Sequence, residues 1–66
     1  MSEHWYPTHQ VGCHIIVYIR EDKKKWAIGY KDGLGFISDH WRSECSAIQA
    51  AKDKTPVTCL TVDNFR

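Results

Sequence analysis

The chain has 66 residues, 42% of them hydrophobic and 26% charged, and nine Lys and Arg against eight Asp and Glu leave a formal charge of +1. That length allows one domain burying roughly 60% of the surface its unfolded form exposes, and the near-neutral balance excludes a global field that would draw it to nucleic acid or an anionic membrane. No apolar run approaches the ~20 residues of a membrane span, and Met1-Ser2-Glu3-His4 lacks the basic start and apolar middle of a signal peptide, so a cytoplasmic location is expected. Cys13, Cys45 and Cys59 are an odd number with no close spacing, which argues against a disulfide framework and for reduced thiols.

In chain order, residues 1–10 read as an extended aromatic arm ahead of a single domain over residues 11–66. Pro7 disfavours helix in the residue before it, and Trp5 and Tyr6 are large aromatics that either fold back over the core or meet a partner. From Val11 to Arg20 the alternation predicts a central strand. Val11, Cys13, Ile15, Val17 and Ile19 share its core face, and His14, Ile16, Tyr18 and Arg20 the other. Ile16 and Tyr18 are more apolar than a solvated sheet face requires, and Phe36 is expected near them.

Glu21 to Lys25 is a charged turn leading into a hairpin. Trp26, Ile28 and Tyr30 alternate with Ala27, Gly29 and Lys31, Asp32-Gly33 suits a two-residue turn with both residues at positive φ, and Leu34, Phe36 and Ile37 return. That turn pairs Tyr30 with Gly35, Ile28 with Ile37, and Gly29 with Phe36, whose ring covers the glycine backbone. Ser38 or Asp39 is placed to cap a helix over about 40–54, with Trp41, Cys45, Ile48 and Ala51 as its buried stripe. Thr55-Pro56 ends the helix. Val57 to Val62 is β-branched and alternating and predicts a last strand.

The expected fold is therefore α+β: a three- to four-stranded antiparallel sheet with one helix packed on one face, in the order β-β-β-α-β. Its expected core is Val11, Ile15, Val17, Ile19, Ile28, Ile37, Cys45, Ile48, Leu60 and Val62, with Trp26 and Trp41 at the margins.

Chemistry-bearing patterns are sparse. His9 and Cys13 share a strand face, but there is no C-x-x-C pair of the kind that gives structural zinc two ligands from one turn. Neighbours on a strand point to opposite faces, so His14 is not placed to activate Cys13. Gly33-x-Gly35 is explained by the hairpin rather than by a phosphate loop. No catalytic residue, metal site or cofactor is expected, and the chain reads as a non-enzyme.

Two binding readings remain. In the first, Trp5, Tyr6, Ile16, Tyr18 and Phe36 form a protein-docking surface for a partner or a second copy, giving a homodimer. In the alternative, Arg20, Lys23, Lys24, Lys25 and Lys31 at the hairpin ends contact phosphates while nearby aromatics stack bases. In size and order of elements, over about Cys13 to Val62, the chain resembles small phage- or plasmid-encoded proteins that bind and inhibit host enzymes, including RNA polymerase and CRISPR complexes. The likeness is architectural, carried by the Trp26-Ala27 strand, the hairpin, the alanine-rich helix and the final strand. It implies an inhibitor or modulator that docks on a host protein complex.

Overall fold

The computed structural model describes residues 4–65. Its elements are β1 (Tyr6–Val11), β2 (Ile15–Arg20), β3 (Lys25–Tyr30), β4 (Phe36–Trp41), α1 (Glu44–Lys54), one 3-10 turn (Val57–Cys59) and β5 (Val62–Asn64). The strands form one antiparallel sheet of five, in the order β4-β3-β2-β1-β5. The α+β class with one helix thus stands, and the three- to four-stranded expectation is corrected to five. Among the described residues, no helix is long and apolar enough to cross a membrane.

The additional strand comes from the stretch Tyr6–Val11, which is hydrogen-bonded on both sides, to β2 and to β5. Its polarity hides this role. Thr8 is the extra residue at a bulge between Pro7 and His9, and both Thr8 and His9 are buried because their polar atoms have partners. The Thr8 hydroxyl donates to Val17 O at 3.1 Å, while the His9 ring lies 3.0 Å from Thr8 Oγ1 through Nδ1 and 3.1 Å from Glu44 Oε1 through Nε2. Hydrogen bonding takes the place of hydrophobicity in this strand.

The expected single strand from Val11 to Arg20 is two strands joined at Gly12-Cys13-His14. Gly12 has φ +73°, and a Cβ there would collide with the Thr55 methyl and the Cys59 carbonyl. From Ile15 onward the alternation holds: Ile15, Val17 and Ile19 are buried and Ile16, Tyr18 and Arg20 half-buried. On the same face Trp26 and Ile28 complete the β3 layer, and fully burying a side chain such as Ile28 contributes about 2–3 kcal/mol. Trp26 belongs to the core rather than its margin.

The helix is shorter than expected because β4 continues to Trp41. Ser43, not Ser38 or Asp39, is its N-cap, accepting from the Ser46 N–H at 3.2 Å. Glu44 in the first turn and Lys52 and Lys54 in the last complement the helix dipole. Ala47 and Ala51 are fully buried, so small residues let the helix sit close to the sheet, with Ile37, Trp41, Ile48 and Ala50 packed around them. Cys45, expected on the buried stripe, is exposed. Moving the helix start from about residue 40 to Glu44 removes Trp41 from the helix and with it the phase of that stripe.

After the helix, the Thr55 hydroxyl lies 2.8 Å from Ala51 O and 3.3 Å from Val11 O, tying the helix end to β1. The expected strand from Val57 to Val62 is instead the 3-10 turn followed by β5. Leu60 and Val62, expected in the core, are exposed at 44% and 42%. Pro56 O accepts from the Cys59 N–H at 2.9 Å, closing the turn that takes this segment out of line. It also brings Cys59 to Cys13, with Cα atoms 5.4 Å apart, and the two form a disulfide. The expectation of three reduced thiols is corrected to one bond and a free Cys45.

Candidate functional site

The helix covers one sheet face and leaves the other open. On the open face β3 presents little bulk, with Ala27 beside Tyr18 and Gly29 beside both Ile16 and Phe36. The expected Gly29–Phe36 pairing is present, although the connection before it differs. Residues 31–35 form a five-residue loop in which Gly33 and Gly35 have positive φ and Asp32 does not. Asp32 instead accepts from the Leu34 N–H at 3.3 Å. Beyond that pair the register shifts, with Ile37 as the extra residue, so that Ser38, not Ile37, lies opposite Ile28.

Because Gly29 has no side chain, two rings lean over it. A Cβ at Gly29 would lie 2.8 Å from Phe36 Cδ1 and 3.0 Å from Tyr18 Cε2. The Tyr18 and Phe36 rings meet edge to face at 5.3 Å, and Trp5 meets Phe36 in the same manner at 5.1 Å. The Arg20 guanidinium stands 5.8 Å from the Trp5 ring centroid. Such ring pairs contribute about 0.5–1.5 kcal/mol each. Against that gain, the Trp5 indole N–H is buried and has no acceptor among the described residues. An unmet buried donor costs about 1–3 kcal/mol, so Trp5 is the least firmly held member of the cluster.

Between the rings lies a concavity of about 380 Å³, walled by Trp5, Tyr18, Tyr30 and Phe36 and lined by the backbone of Gly33 and Gly35. Phe36 remains 45% exposed. Three of the expected docking residues, Trp5, Tyr18 and Phe36, are thus brought together, and Ile16 neighbours them across Gly29. Tyr6 is not part of the cluster: its ring contact is with His4, at 4.5 Å.

The expected basic set is divided. Lys23, Lys24 and Lys25 line a cleft of about 560 Å³ together with His40 and Arg42. Lys31 lies at the opposite sheet end, its N–H donating to His14 O at 2.8 Å. Arg20 is engaged by Asp22, with Nη2–Oδ2 at 3.0 Å and Nε–Oδ1 at 3.3 Å. That hydrogen bond from Arg20 holds the Asp22 carboxyl below its ordinary value. Sequence reasoning missed His40 and Arg42 as cleft residues because both were assigned to the helix. The available signal was Ser43-Glu44, a cap followed by a first-turn acid.

Among the described residues, no group of three or more His, Cys, Asp and Glu side chains is placed to hold a metal ion. His9 and Cys13, which share a face in the one-strand reading, lie on either side of the break at Gly12, and Cys13 is in the disulfide. The arrangement offers two recognition surfaces, one aromatic and one cationic. No family model matches the chain, and neither does any curated protein or solved structure.

Proposed function

We propose that the chain is a non-enzymatic interaction module that docks a protein partner on the open sheet face. The observation that carries this reading is the aromatic concavity formed by Trp5, Tyr18, Tyr30 and Phe36 on a face that no other element of the described residues covers. Its volume of about 380 Å³ has room for more than one apolar side chain of the partner. Aromatic rings around a desolvated pocket are the usual anchor of a protein interface. Trp5, with its unmet N–H, is the residue that shifts to admit the anchor and to offer its donor.

In this reading the chain acts by occupying a surface of a larger complex, as the small phage- or plasmid-encoded inhibitors do. A second copy of the chain is the competing occupant. Light scattering of the purified protein separates the two, since self-docking gives a concentration-dependent dimer that Phe36→Ala abolishes. With a monomer, capture by tagged protein under nuclease and high salt is compared between wild type and the Tyr18→Ala and Phe36→Ala variants. A protein retained by wild type and lost from both folded variants supports the reading; identical capture by all three removes it.

The cytoplasmic expectation rested on the absence of a membrane-length apolar run and of a signal-peptide pattern, and the reduced thiols that would accord with it are replaced by the Cys13–Cys59 bond. Disulfides persist mainly in oxidising compartments. Thiol trapping at the moment of lysis decides the matter: alkylation of Cys45 alone favours an oxidising compartment, and alkylation at all three positions restores the cytoplasmic one.

A further inference from the structure

We propose that the cleft between the β2–β3 turn and the end of β4 holds the phosphate backbone of a nucleic-acid strand. This site is separate from the aromatic concavity and does not depend on the docking reading. Its lining brings Lys23, Lys24 and Lys25 from one turn against His40 and Arg42 from another part of the chain, around about 560 Å³. Among the described residues, no acidic residue lines it. Cations converging from two segments without a counter-charge repel one another, and an anion between them removes that repulsion.

Glu21 and Asp22 share the turn with the lysines, which in the bare sequence argues against an anion site. The fold separates the two signs. Glu21 and Asp22 line a different hollow with Arg20, and Asp22 is paired with that arginine. Glu44, two residues beyond Arg42, is turned to His9. Asp39 precedes His40 on β4 and does not line the cleft.

The backbone supplies a second, independent observation. Lys24 has φ +49° and is the one non-glycine at positive φ among the described residues. Glycine adopts that conformation without strain, whereas a lysine does not. Strain of this kind is retained where a side chain is needed in place, and here the lysine lines the cationic cleft.

The occupant is a nucleic-acid strand rather than an acidic peptide because of His40. Its exposed ring lies 4.5 Å from that of Trp41, tilted by 31°, and it is part of the same lining as the cations. A planar ring beside phosphate-binding cations suits a base and its own phosphate. A glutamate-rich peptide would use the cations alone.

The test is fluorescence anisotropy of the purified protein with a labelled mixed-sequence single strand of about 15 nucleotides, within the usual site sizes, titrated over a range of salt. The expected plot of log affinity against log salt has a slope of about −2 to −3, since each phosphate contact on a single strand contributes about −0.7. Lys23→Ala and Arg42→Ala each weaken binding about 3- to 10-fold and flatten the slope by roughly 0.7. Lys24→Gly does the same while raising the melting temperature, which separates lost binding from lost folding. His40→Ala weakens the strand but leaves inorganic polyphosphate unchanged, and Phe36→Ala affects neither. Three results each overturn the proposal: no salt-dependent binding of the strand, undiminished binding by the Lys23→Ala/Arg42→Ala double variant, or displacement of the strand by polyglutamate as readily as by unlabelled strand.

Discussion

The two turns that flank β2 both pass through a left-handed residue, Gly12 at φ +73° and Lys24 at φ +49°. Gly12 itself is closed in: the Thr55 methyl and the Cys59 carbonyl occupy the space of a side chain, the Gly12 N–H donates to Thr61 O at 2.7 Å, and Cys13 beside it is bonded to Cys59. Around Lys24 the chain is exposed, charged and open to a cleft. The same backbone shape is free of strain where it serves packing and strained where it presents a cation. The turn at Gly12 is thus closed by packing and a disulfide, while the turn at Lys24 presents charge to solvent.

Substitutions at the closed end are expected to have the largest effects. The disulfide spans a sequence separation of 46, and by loop entropy its loss through a Cys13→Ser/Cys59→Ser pair should cost about 3–4 kcal/mol. Urea melts should show this while strand binding at the opposite end persists in the folded fraction. Gly12→Ala combines left-handed strain with overpacking against Thr55 and Cys59, and should cost about 2–4 kcal/mol. If Gly12→Ala melted like wild type, the contrast between the turns would collapse.

On the open face, Phe36→Ala removes two edge-on ring contacts from a half-exposed side chain and should cost about 1–3 kcal/mol in the same melts. At the open end, Lys24→Gly should be stabilising by about 0.5–1 kcal/mol, since it relieves strain at a solvated position. The smallest effect concerns Asp22, whose carboxyl is held below its ordinary value by Arg20. A depressed carboxyl stabilises the fold above its unfolded pKa, and that contribution fades as pH falls through the folded value. An acid titration of stability should show the slope below the ordinary carboxylate range, and Asp22→Asn should remove it.

How far the sequence disclosed this molecule depended on what kind of force holds each element. β2 was legible because its buried residues are aliphatic and alternate, and the Phe36 cover over Gly29 followed from a ring opposite a strand glycine. β1 was not, because Thr8 and His9 are buried through hydrogen bonds to Val17 and Glu44, partners distant in the chain. The turn at Gly12 was masked by coincidence, since Val11, Cys13 and Ile15 continue an alternation that the backbone abandons. A glycine within an apparent strand was the signal available there. The Cys13–Cys59 bond required knowing that a 3-10 turn interrupts the last strand, a tertiary fact. Of the candidate surfaces, the Tyr18–Phe36 contact was readable from alternation, whereas the meeting of Lys23, Lys24 and Lys25 with Arg42 depended on where β4 ends.

The antiparallel pairing of β1 with β5 has a consequence for chain connectivity. His9 lies opposite Asn64 and the Phe65 N–H donates to Thr8 O at 2.8 Å, so the two ends of the described chain leave the sheet at one corner. A flexible linker joining the two ends of the described residues, with a new opening in the exposed loop between Gly33 and Leu34, is the circular permutant that this geometry favours. In that permutant β4 and α1 come first and β3 last, and a melting profile like that of the wild type would show that the sheet tolerates a new order of synthesis.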